Sequence, residues 1–387
     1  MDIFGKETEE LKAHDMFRHV YDIEKKEGKY IFLDGKRYLN LSSNDYLCLS
    51  ADKPLVSEFV LSCSGSSEFL FSSASARLLS GSSKIYKTLE RRLAEMFSKE
   101  AALLFNTGYQ CNLGVVSAFA QKNDVIFCDK LNHASIIDGI KLSGADFYRY
   151  RHLDYKHLEE LLEKHSADYR RALIVSESVF SMDGDIADIR KLVELKKKYN
   201  AVLMIDEAHA FGVFGSNLCG VSDEEGVLKE VDIISATLGK SMASMGAFVV
   251  ADRSVVDYFV NKSRSFIFST ALPPVNVLWT NWLLSKKFDL LLQKKGRIRS
   301  IIKFTLDYLK DKGLDCSSQS QIIPIVTGDN KRALELALFL QERGFFVLPI
   351  RPPSVAPKSS RIRLSLNADI GMEEIKEIID LISGELI

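Results

Sequence analysis

The stretch VDIISATLGKSMASMGAFVV, residues 231–250, places a lysine directly after an apolar run. Lys240 lies among small or uncharged residues, with Gly239 before it and Gly246 six positions later. A lysine at the end of a strand is most often a solvated surface charge. In a sheltered pocket, however, its amine can lose a proton and form a Schiff base with a carbonyl compound. This segment alone leaves both interpretations open.

A carboxylate and a histidine follow a second apolar run. In AVLMIDEAHAFGVFG (201–215), Asp206 ends the run and His209 comes three residues later. Burying a carboxylate costs free energy unless a cation pairs with it. That cation could be a neighbouring lysine or arginine, which would make a structural ion pair, or it could be the protonated ring nitrogen of a cofactor.

Two short motifs suggest a different function. The letters DEAH (206–209) also occur in helicases, and GKS (239–241) resembles the end of a phosphate-binding P-loop. The full motif G-x-x-x-x-G-K-[ST] needs a glycine at the position of Ile234, and its loop should precede the acidic strand rather than follow it. The sequence therefore argues against a nucleotide-driven helicase or ATPase.

Pyridoxal 5'-phosphate explains the lysine and the carboxylate together. A lysine holds this cofactor as a Schiff base, and Lys240 is suitable because its small neighbours leave space for a ring. A carboxylate that faces the pyridine nitrogen keeps this nitrogen protonated, so that the ring can accept electrons. Asp206 could have this role.

The phosphate of such a cofactor needs free backbone N–H groups, which the first turn of a helix provides. The stretch FNTGYQCNLGVV (105–116) predicts a helix that begins at Gly108 and Tyr109, and Thr237 could add a hydroxyl. His133 in DKLNHASIIDG could stack its ring on the pyridine face. A histidine taken alone is more often structural or at the surface.

Strands and helices must bring these residues to one site. From about residue 85 to 250, helical patterns alternate with short runs of β-type residues. Strands that are apolar almost throughout indicate an α/β fold with a mostly parallel sheet between helices, and its ligands bind at the carboxyl ends of the strands. We expect strands in the runs AALLF, DVIFCD, DFYRY, RALIVSES, AVLMIDEA, VDIISATL and GAFVVAD.

The two ends of the chain predict further elements. A helix from Thr8 to Glu27 precedes a hairpin whose turn is Asp34-Gly35. A long amphipathic helix at about 275–312 precedes a small α/β domain whose sheet we expect to be antiparallel. The predicted parts are an N-terminal segment (1–45), a large cofactor domain (46–285) and a small C-terminal domain (286–387).

The composition is that of an ordinary globular protein. The 387 residues carry a formal net charge of -1, which gives no reason to expect nucleic-acid binding. Six cysteines without C-x-x-C spacing argue against a metal or redox site and fit the reduced thiols of the cytoplasm. The sequence has neither the apolar stretch of a signal peptide nor the roughly 20 apolar residues of a membrane span. We expect a soluble cytoplasmic protein.

Eight stretches resemble, in the same order, those of the α-oxoamine synthases. These are fold-type I pyridoxal-phosphate enzymes that condense an amino acid with an acyl-CoA thioester and release CO₂. The similarity extends over nearly the whole chain, and IIPIVTGDN and IRPPSVAPKSSRIRLSL are most similar to the biotin-pathway branch. The eight stretches are LNLSSNDYLCLS, LFNTGYQCNLGV, CDKLNHASIIDG, SESVFSMDGDIADI, MIDEAHAFGVFG, TLGKSMASMGA, FSTALPP and RPPSVAPKSSRIRLSL.

The resemblance implies a role for each matching residue. Lys240 would be the Schiff-base lysine, Asp206 the pyridinium partner, and His133 the stacking residue that also acts on the thioester oxygen. The other cofactor contacts would be His209, Ser181, Gly108, Tyr109 and Thr237, with Ser269 and Thr270 reaching the phosphate from a partner subunit. The substrate contacts would be Arg363 at the amino-acid carboxylate, Arg351 on a mobile loop, Asn44, and Arg18 at the far end of the acyl chain.

Alternatives remain for the arginines, and three stretches depart from the family pattern. Arg363 and Arg351 could instead form surface salt bridges, and Arg18 could be a solvated helix charge. The family usually has glycine at the position of Cys48, and SSASAR (72–77) and SMASMG (241–246) replace glycine-rich stretches. Side chains at these places should reshape the acyl channel more than the cofactor site.

The resemblance implies a homodimeric acyltransferase that joins L-alanine to a pimeloyl-type thioester. Another member of the family stays open, such as glycine C-acetyltransferase or a serine palmitoyltransferase-like enzyme. A transaminase of the same fold type would show amino transfer to 2-oxoglutarate. A non-catalytic binding protein of this fold is a further alternative, against which the retained Lys240, Asp206 and His133 argue.

Overall fold

The computed structural model describes residues 3–386, which form two compact units. The smaller unit comprises Met1–Pro54, Ser181–Asp185 and Gly296–Ile387, and the larger comprises Leu55–Phe180 and Ile186–Lys295. The helices are α1 (Ile3–Ala13), α2 (Lys53–Cys63), α3 (Lys84–Met96), α4 (Gly108–Phe119), α5 (Ala134–Ser143), α6 (Tyr155–His165), α7 (Ile189–Lys198), α8 (Val221–Glu224), α9 (Arg253–Lys262), α10 (Arg264–Ile267), α11 (Pro274–Lys286), α12 (Phe288–Asp311), α13 (Asn330–Glu342) and α14 (Met372–Leu386). The strands are β1 (Lys25–Glu27), β2 (Tyr30–Leu33), β3 (Lys36–Asn40), β4 (Ala101–Phe105), β5 (Asp124–Asp129), β6 (Asp146–Tyr150), β7 (Arg171–Glu177), β8 (Val202–Asp206), β9 (Ile233–Thr237), β10 (Ala247–Ala251), β11 (Ile322–Gly328), β12 (Phe345–Phe346), β13 (Pro349–Ile350) and β14 (Ser360–Ser365).

The seven predicted strands of the larger unit form one sheet. Its order is β4-β10-β9-β8-β7-β5-β6, in which β10 runs antiparallel to both neighbours and the other pairs are parallel. Every residue of β4, β5, β9 and β10 is buried. Removing these apolar side chains from water is the main favourable contribution to folding. The prediction of an α/β fold with a mostly parallel seven-stranded sheet is confirmed.

The polar residues singled out in the sequence lie at one edge of this sheet. Asp206 and Thr237 are the last residues of the neighbouring strands β8 and β9, and Glu177 ends β7 beside Asp206. Because parallel strands point the same way, their carboxyl ends meet at the same edge. The first residue of α4, Gly108, reaches this edge too, since a Cβ placed on it would lie 3.6 Å from the Thr237 Cβ.

The smaller unit contains two sheets. Strands β1, β2, β3 and β12 form one, and β11, β14 and β13 form an entirely antiparallel one, as the sequence predicts for the C-terminal region. The hairpin turn at Asp34-Gly35 is also confirmed. Both turn residues have left-handed backbones, with φ of 49° and 69°, which is the conformation that tight two-residue hairpins require.

The predicted N-terminal helix is wrong beyond residue 13. Helix α1 ends at Ala13, Asp15 has a left-handed φ of 54°, and the Met16 N–H donates to the Leu11 carbonyl, which closes the helix. Residues after this point are held by a distant side chain, because the Arg351 guanidinium donates to the Phe17 carbonyl at 3.0 Å. The helical spacing of apolar residues in the sequence cannot reveal such a tertiary contact.

The predicted long helix at 275–312 is two helices, α11 and α12. Lys287, between them, has φ of -126°, outside the helical range, although its N–H still donates to the Leu283 carbonyl. The break consists of Lys287 alone and contains neither proline nor glycine. The helical pattern of apolar residues therefore continues across it, and the sequence does not indicate the break. Along residues 3–386, no helix is both long and apolar enough to cross a membrane.

Candidate active site

Lys240 lies in a tight loop between β9 and β10. The loop is closed by hydrogen bonds from the Leu238 N–H to the Gly246 carbonyl and from the Ser244 N–H to the Leu238 carbonyl. The Lys240 Nζ is 2.6 Å from His209 Nε2. An ammonium group has no acceptor and a protonated imidazole has none either. At most one of the two groups therefore carries a positive charge, so this pair can hold or pass on a proton.

Asp206 is buried, and both of its carboxylate oxygens accept hydrogen bonds. It is 5% exposed; its Oδ2 accepts from the Asn112 Nδ2 at 2.7 Å, and its Oδ1 accepts from the Ala208 N–H at 2.8 Å. A carboxylate that is buried in this way needs a positive partner, and the protonated ring nitrogen of a cofactor suits the site.

The first turn of α4 offers an anion site at the same sheet edge. Thr107 caps the helix by accepting from the Gln110 N–H at 3.1 Å. The backbone N–H groups of Gly108 and Tyr109 make no hydrogen bond to any part of the chain that the structure describes. The Thr237 hydroxyl, beside Gly108, accepts from the Gly239 N–H at 3.1 Å. Free N–H groups at a helix N-terminus bind phosphate well.

These features fit pyridoxal phosphate on independent grounds. A buried carboxylate suits the protonated pyridine nitrogen, and the unused N–H groups of α4 suit the phosphate. Lys240, which lies in the same unit, supplies the amine. The side chain of Tyr109, by contrast, turns to the carboxylate of Asp138, with which it forms a short hydrogen bond.

His133 caps α5 and is anchored by a buried glutamate. Its backbone N–H donates to Glu177 Oε1 at 2.5 Å, and its Nδ1 lies 2.7 Å from Ser135 Oγ. Desolvation lowers the pKa of His133, and this effect outweighs the opposing influence of the Asp206 carboxylate. Burial raises the pKa of Glu177 well above its usual value, and the neighbouring Asp206 adds to the shift. The imidazole therefore favours its neutral form.

The segment FSTALPP is fixed by its own chain, and its first three residues are not buried. The Ala271 N–H donates to the Ser75 carbonyl at 2.9 Å, and the Asn106 Nδ2 donates to the Thr270 carbonyl at 2.7 Å. Ser269 is half-buried and Thr270 is exposed. The departing stretch SSASAR thus pairs with the predicted phosphate segment through its backbone.

The predicted amino-acid contacts lie in the smaller unit. Arg363 on β14 donates from Nη2 to Asn44 Oδ1 at 2.9 Å and to the Tyr46 hydroxyl at 3.3 Å. Its Nε is buried and has no hydrogen-bond partner within residues 3–386. A half-buried guanidinium with a spare donor suits a carboxylate ligand. Cys48, two residues after Tyr46, is buried. Its backbone is left-handed, with φ of 54°, a conformation that favours glycine.

Ser181 begins a short loop, 181–185, that belongs to the smaller unit. The loop is pinned by Arg361, which donates to Asp183 Oδ1 at 2.6 Å and to the Met182 carbonyl at 3.1 Å. Gly184, with φ of 70°, approaches β11 so closely that an added Cβ would lie 2.0 Å from the Ile322 carbonyl oxygen. Ser181 is thus held at a defined place in its unit.

Two arginines form a positive patch in the smaller unit. Arg351 is 7% exposed and donates to the carbonyls of Asp15 and Phe17, while the exposed Arg18 donates to the Pro352 carbonyl at 3.1 Å. Burial lowers the pKa of Arg351, and the charge of Arg18 adds to the effect. Arg18 lies outside any helix, so its placement on the first predicted helix is wrong.

Sequence reasoning missed three buried polar residues in contact with this site, which are Asn112, Ser135 and Ser235. Asn112 lies inside α4 and Ser235 inside β9, and each contacts the residues around Asp206. A polar residue inside an apolar element was the available signal, because burying it requires a partner.

Comparisons with known proteins identify the family of this chain. A family model described as aminotransferase class I and II matches residues 36–382, and the chain belongs to this family. An 8-amino-7-oxononanoate synthase from Chlorobaculum parvum is 41% identical over 374 residues, which cover 96% of this chain and 95% of that protein. A protein from Haemophilus influenzae that carries the same name provisionally is 43% identical over 380 residues, or 98% and 99% of the two chains.

Solved structures extend the similarity to three dimensions. A serine palmitoyltransferase from Sphingomonas wittichii has a TM-score of 0.89 at 28% identity, covering 99% of this chain and 96% of its own. A Serine Palmitoyltransferase variant from S. paucimobilis with bound PLP has a TM-score of 0.90 at 25% identity, with 99% and 96% coverage. An 8-amino-7-oxononanoate synthase from Francisella tularensis has a TM-score of 0.76 at 28% identity, covering 90% and 98%. The predicted α-oxoamine synthase resemblance, fold type, cofactor and acyltransferase class are confirmed; the roles of single residues stay predictions.

Proposed function

We propose that this enzyme condenses L-alanine with a pimeloyl thioester to give 8-amino-7-oxononanoate, CoA and CO₂, a step of biotin biosynthesis. The observation that carries the proposal is the end-to-end similarity of the chain to proteins named 8-amino-7-oxononanoate synthase. We further infer a cytoplasmic location. Small molecules would be its only substrates, without nucleic acid or membrane.

The larger unit provides the proton chemistry of this reaction. When bound, pyridoxal phosphate supplies an aldehyde that joins amines and a ring that accepts the electrons of a carbanion. Lys240 is assigned to remove the α-proton of alanine, and His209, 2.6 Å from its Nζ, can share that proton. Asp206, held by Asn112 and the Ala208 N–H, is assigned to keep a positive charge opposite its carboxylate. The two free N–H groups of α4, with Thr237, would bind the phosphate.

Bond making and breaking then follow in a balanced order. The alanine Cα attacks the thioester carbonyl, CoA leaves as the thiolate, the carboxylate leaves as CO₂, and a proton returns to the same carbon. We assign His133 to the thioester oxygen, where negative charge develops. Arg363 is assigned to the alanine carboxylate, because its buried Nε has a spare donor and a fixed carboxylate sets the orientation of the bonds that break. Asn44, which already accepts from Arg363, would line the same contact.

The arginine patch supports an acyl chain that ends in a carboxylate. Both guanidinium groups donate to backbone carbonyls rather than to carboxylate side chains, so their charges are not neutralised by a salt bridge in the described part of the unit. A site that pairs a distal carboxylate rejects chains without one much more strongly than an apolar pocket rejects a chain of different length. We assign Arg18 to that distal carboxylate and Arg351 to the loop beside it.

A panel of four acyl-CoA thioesters, each assayed with three amino acids, tests this proposal. CoA release with L-alanine is expected to be fastest for pimeloyl-CoA, and slower by at least about tenfold for acetyl-, succinyl- and palmitoyl-CoA. Each thioester should be assayed with glycine, L-alanine and L-serine. Arg18→Met should weaken the preference for pimeloyl-CoA over palmitoyl-CoA, while the control Arg299→Met should not.

A serine palmitoyltransferase-like activity is the second candidate, because three-dimensional similarity to those enzymes reaches a TM-score of 0.90. Fastest release with palmitoyl-CoA and serine would establish it and overturn the proposal. Acetyl-CoA with glycine as the best pair would indicate a glycine C-acetyltransferase instead.

We also propose a homodimer whose subunits share their active sites. Ser269 and Thr270 lie on a backbone that is fixed by Ser75 and Asn106, yet the preceding Phe268 is 72% exposed. A rigid segment with an exposed aromatic side chain suits a surface that covers a second copy of the chain. The resemblance assigns the two hydroxyls to the cofactor phosphate of that copy.

Mixing two inactive variants tests the shared sites. A Lys240→Ala chain refolded with a Ser269→Ala/Thr270→Ala chain should regain activity, because one site of each heterodimer then has all of its residues. Each variant refolded with itself is the control. No activity in the mixture, with heterodimers detected by mass, would mean that each chain completes its own site.

A further inference from the structure

A chain of buried polar side chains joins Asp206 to His133 within the larger unit. Asn112 (3% exposed), Ser135 (0%) and Ser235 (2%) form it. The Asn112 Nδ2 is 2.7 Å from Asp206 Oδ2 and 3.1 Å from Ser135 Oγ, and the Asn112 Oδ1 is 2.8 Å from Ser235 Oγ. Ser135 Oγ in turn is 2.7 Å from His133 Nδ1.

The carboxylate fixes the direction of every hydrogen bond in this chain. An ionised carboxylate only accepts, so the Asn112 atom that faces Asp206 must be the amide nitrogen. One hydrogen of that nitrogen goes to Asp206 and the other to Ser135 Oγ. The Asn112 oxygen then points at Ser235, whose hydroxyl must donate to it.

These directions determine which nitrogen of His133 carries the ring proton. The Ser135 backbone N–H donates to His133 Nδ1 at 3.2 Å, so this nitrogen is an acceptor. The Ser135 hydroxyl, 2.7 Å from the same nitrogen, therefore donates its hydrogen to it while its oxygen accepts from Asn112. A nitrogen that two donors approach must present its lone pair, which leaves the proton of the neutral ring on Nε2.

We propose that Asn112 and Ser135 are positioning residues that hold His133 as the neutral Nε2–H tautomer, with Asp206 as the origin of the ordered chain. The catalytic consequence rests on the function proposed above. A ring with its proton on Nε2 can donate a hydrogen bond to an oxygen that gains negative charge, whereas the other tautomer would present a lone pair to that oxygen. The carboxylate that is assigned to the cofactor nitrogen would thus also set the proton of the histidine.

Nitrogen NMR of the histidine rings tests the tautomer without any substrate. The holoenzyme labelled with ¹⁵N-histidine is compared with its His133→Gln variant, which assigns the signals of His133. We expect His133 to show a protonated Nε2 and an unprotonated Nδ1. A protonated Nδ1 in the unmodified enzyme would overturn the proposal.

Three variants separate positioning from general stability. Ser135→Ala removes the hydroxyl donor, and Asn112→Leu frees the Ser135 hydroxyl to turn away; both should give a mixture of tautomers at His133. Ser135→Thr keeps the hydroxyl and should restore the single tautomer. Ser117→Ala is the matched control, because Ser117 also lies on α4 but donates to the Leu113 carbonyl.

Kinetics give a second readout with the best thioester of the panel. Ser135→Ala should lower kcat by about tenfold or more, since a positioned general acid contributes at least that much, while KM for the amino acid changes less than about twofold. An unchanged tautomer in both Ser135→Ala and Asn112→Leu would overturn the proposal even if their activities fall. Should the panel favour another thioester, the proposed function fails, but the tautomer result stands or falls by itself.

Discussion

Replacing Lys240 with alanine is expected to abolish turnover and leave a folded chain. The side chain contacts His209 through its terminal nitrogen, 2.6 Å from Nε2, rather than filling an apolar core. The backbone of its loop is closed by bonds from Leu238 and Ser244, which the substitution does not touch. Loss of the amine that we propose holds the cofactor and removes the α-proton should reduce kcat to the level of the assay background.

The measurement is product formation together with thermal unfolding. Lys164→Ala, an exposed lysine in the last turn of α6, is the matched control and should keep full activity. Borohydride should fix the cofactor on the unmodified enzyme and on the control but not on the Lys240→Ala variant. Near-normal turnover by Lys240→Ala would show that another group performs its role.

Asp206→Asn should lower kcat on the order of a hundredfold or more. A neutral amide cannot keep a ring nitrogen protonated, and each ~1.4 kcal/mol of lost carbanion stabilisation is a factor of ten. The amide also has one oxygen for two donors, because the Asn112 Nδ2 and the Ala208 N–H both point at the present carboxylate. One of the donors would face an N–H group instead.

Asp232→Asn is the control for this variant. Asp232 precedes β9, and its carboxylate pairs with Lys196 at 2.5 Å and accepts from the Leu203 N–H at 2.7 Å. Its loss should lower the free energy of unfolding but not change kcat. If Asp206→Asn kept most of its activity, the carboxylate would have only a structural role.

The sheet could be predicted because each of its strands is recognisable from its own short stretch of sequence. Runs such as DVIFCD and GAFVVAD are apolar throughout, and the structure buries every one of their residues except the final aspartate of the second run. The site followed from the same reasoning, since Asp206 and Thr237 end neighbouring strands. The fold therefore brings together residues that are about thirty positions apart in sequence without further information.

The features that could not be predicted depend on contacts between distant parts of the chain. The N-terminal helix stops at Ala13 while Arg351 binds the carbonyls that follow, a contact over more than three hundred residues. Asn112 and Ser235 escaped notice because each is one polar residue in an apolar element, and its partners become evident only when α4 packs beside the sheet. Local patterns do not encode such pairs.

We propose that the enzyme joins L-alanine to a thioester and removes the alanine carboxyl group. The most direct test uses L-alanine labelled with ¹³C in its carboxyl group and pimeloyl-CoA, with released CoA and ¹³CO₂ measured together. We expect one ¹³CO₂ for each CoA, and neither product from the Lys240→Ala variant. CoA release without ¹³CO₂, or ¹³CO₂ without CoA, would contradict the account.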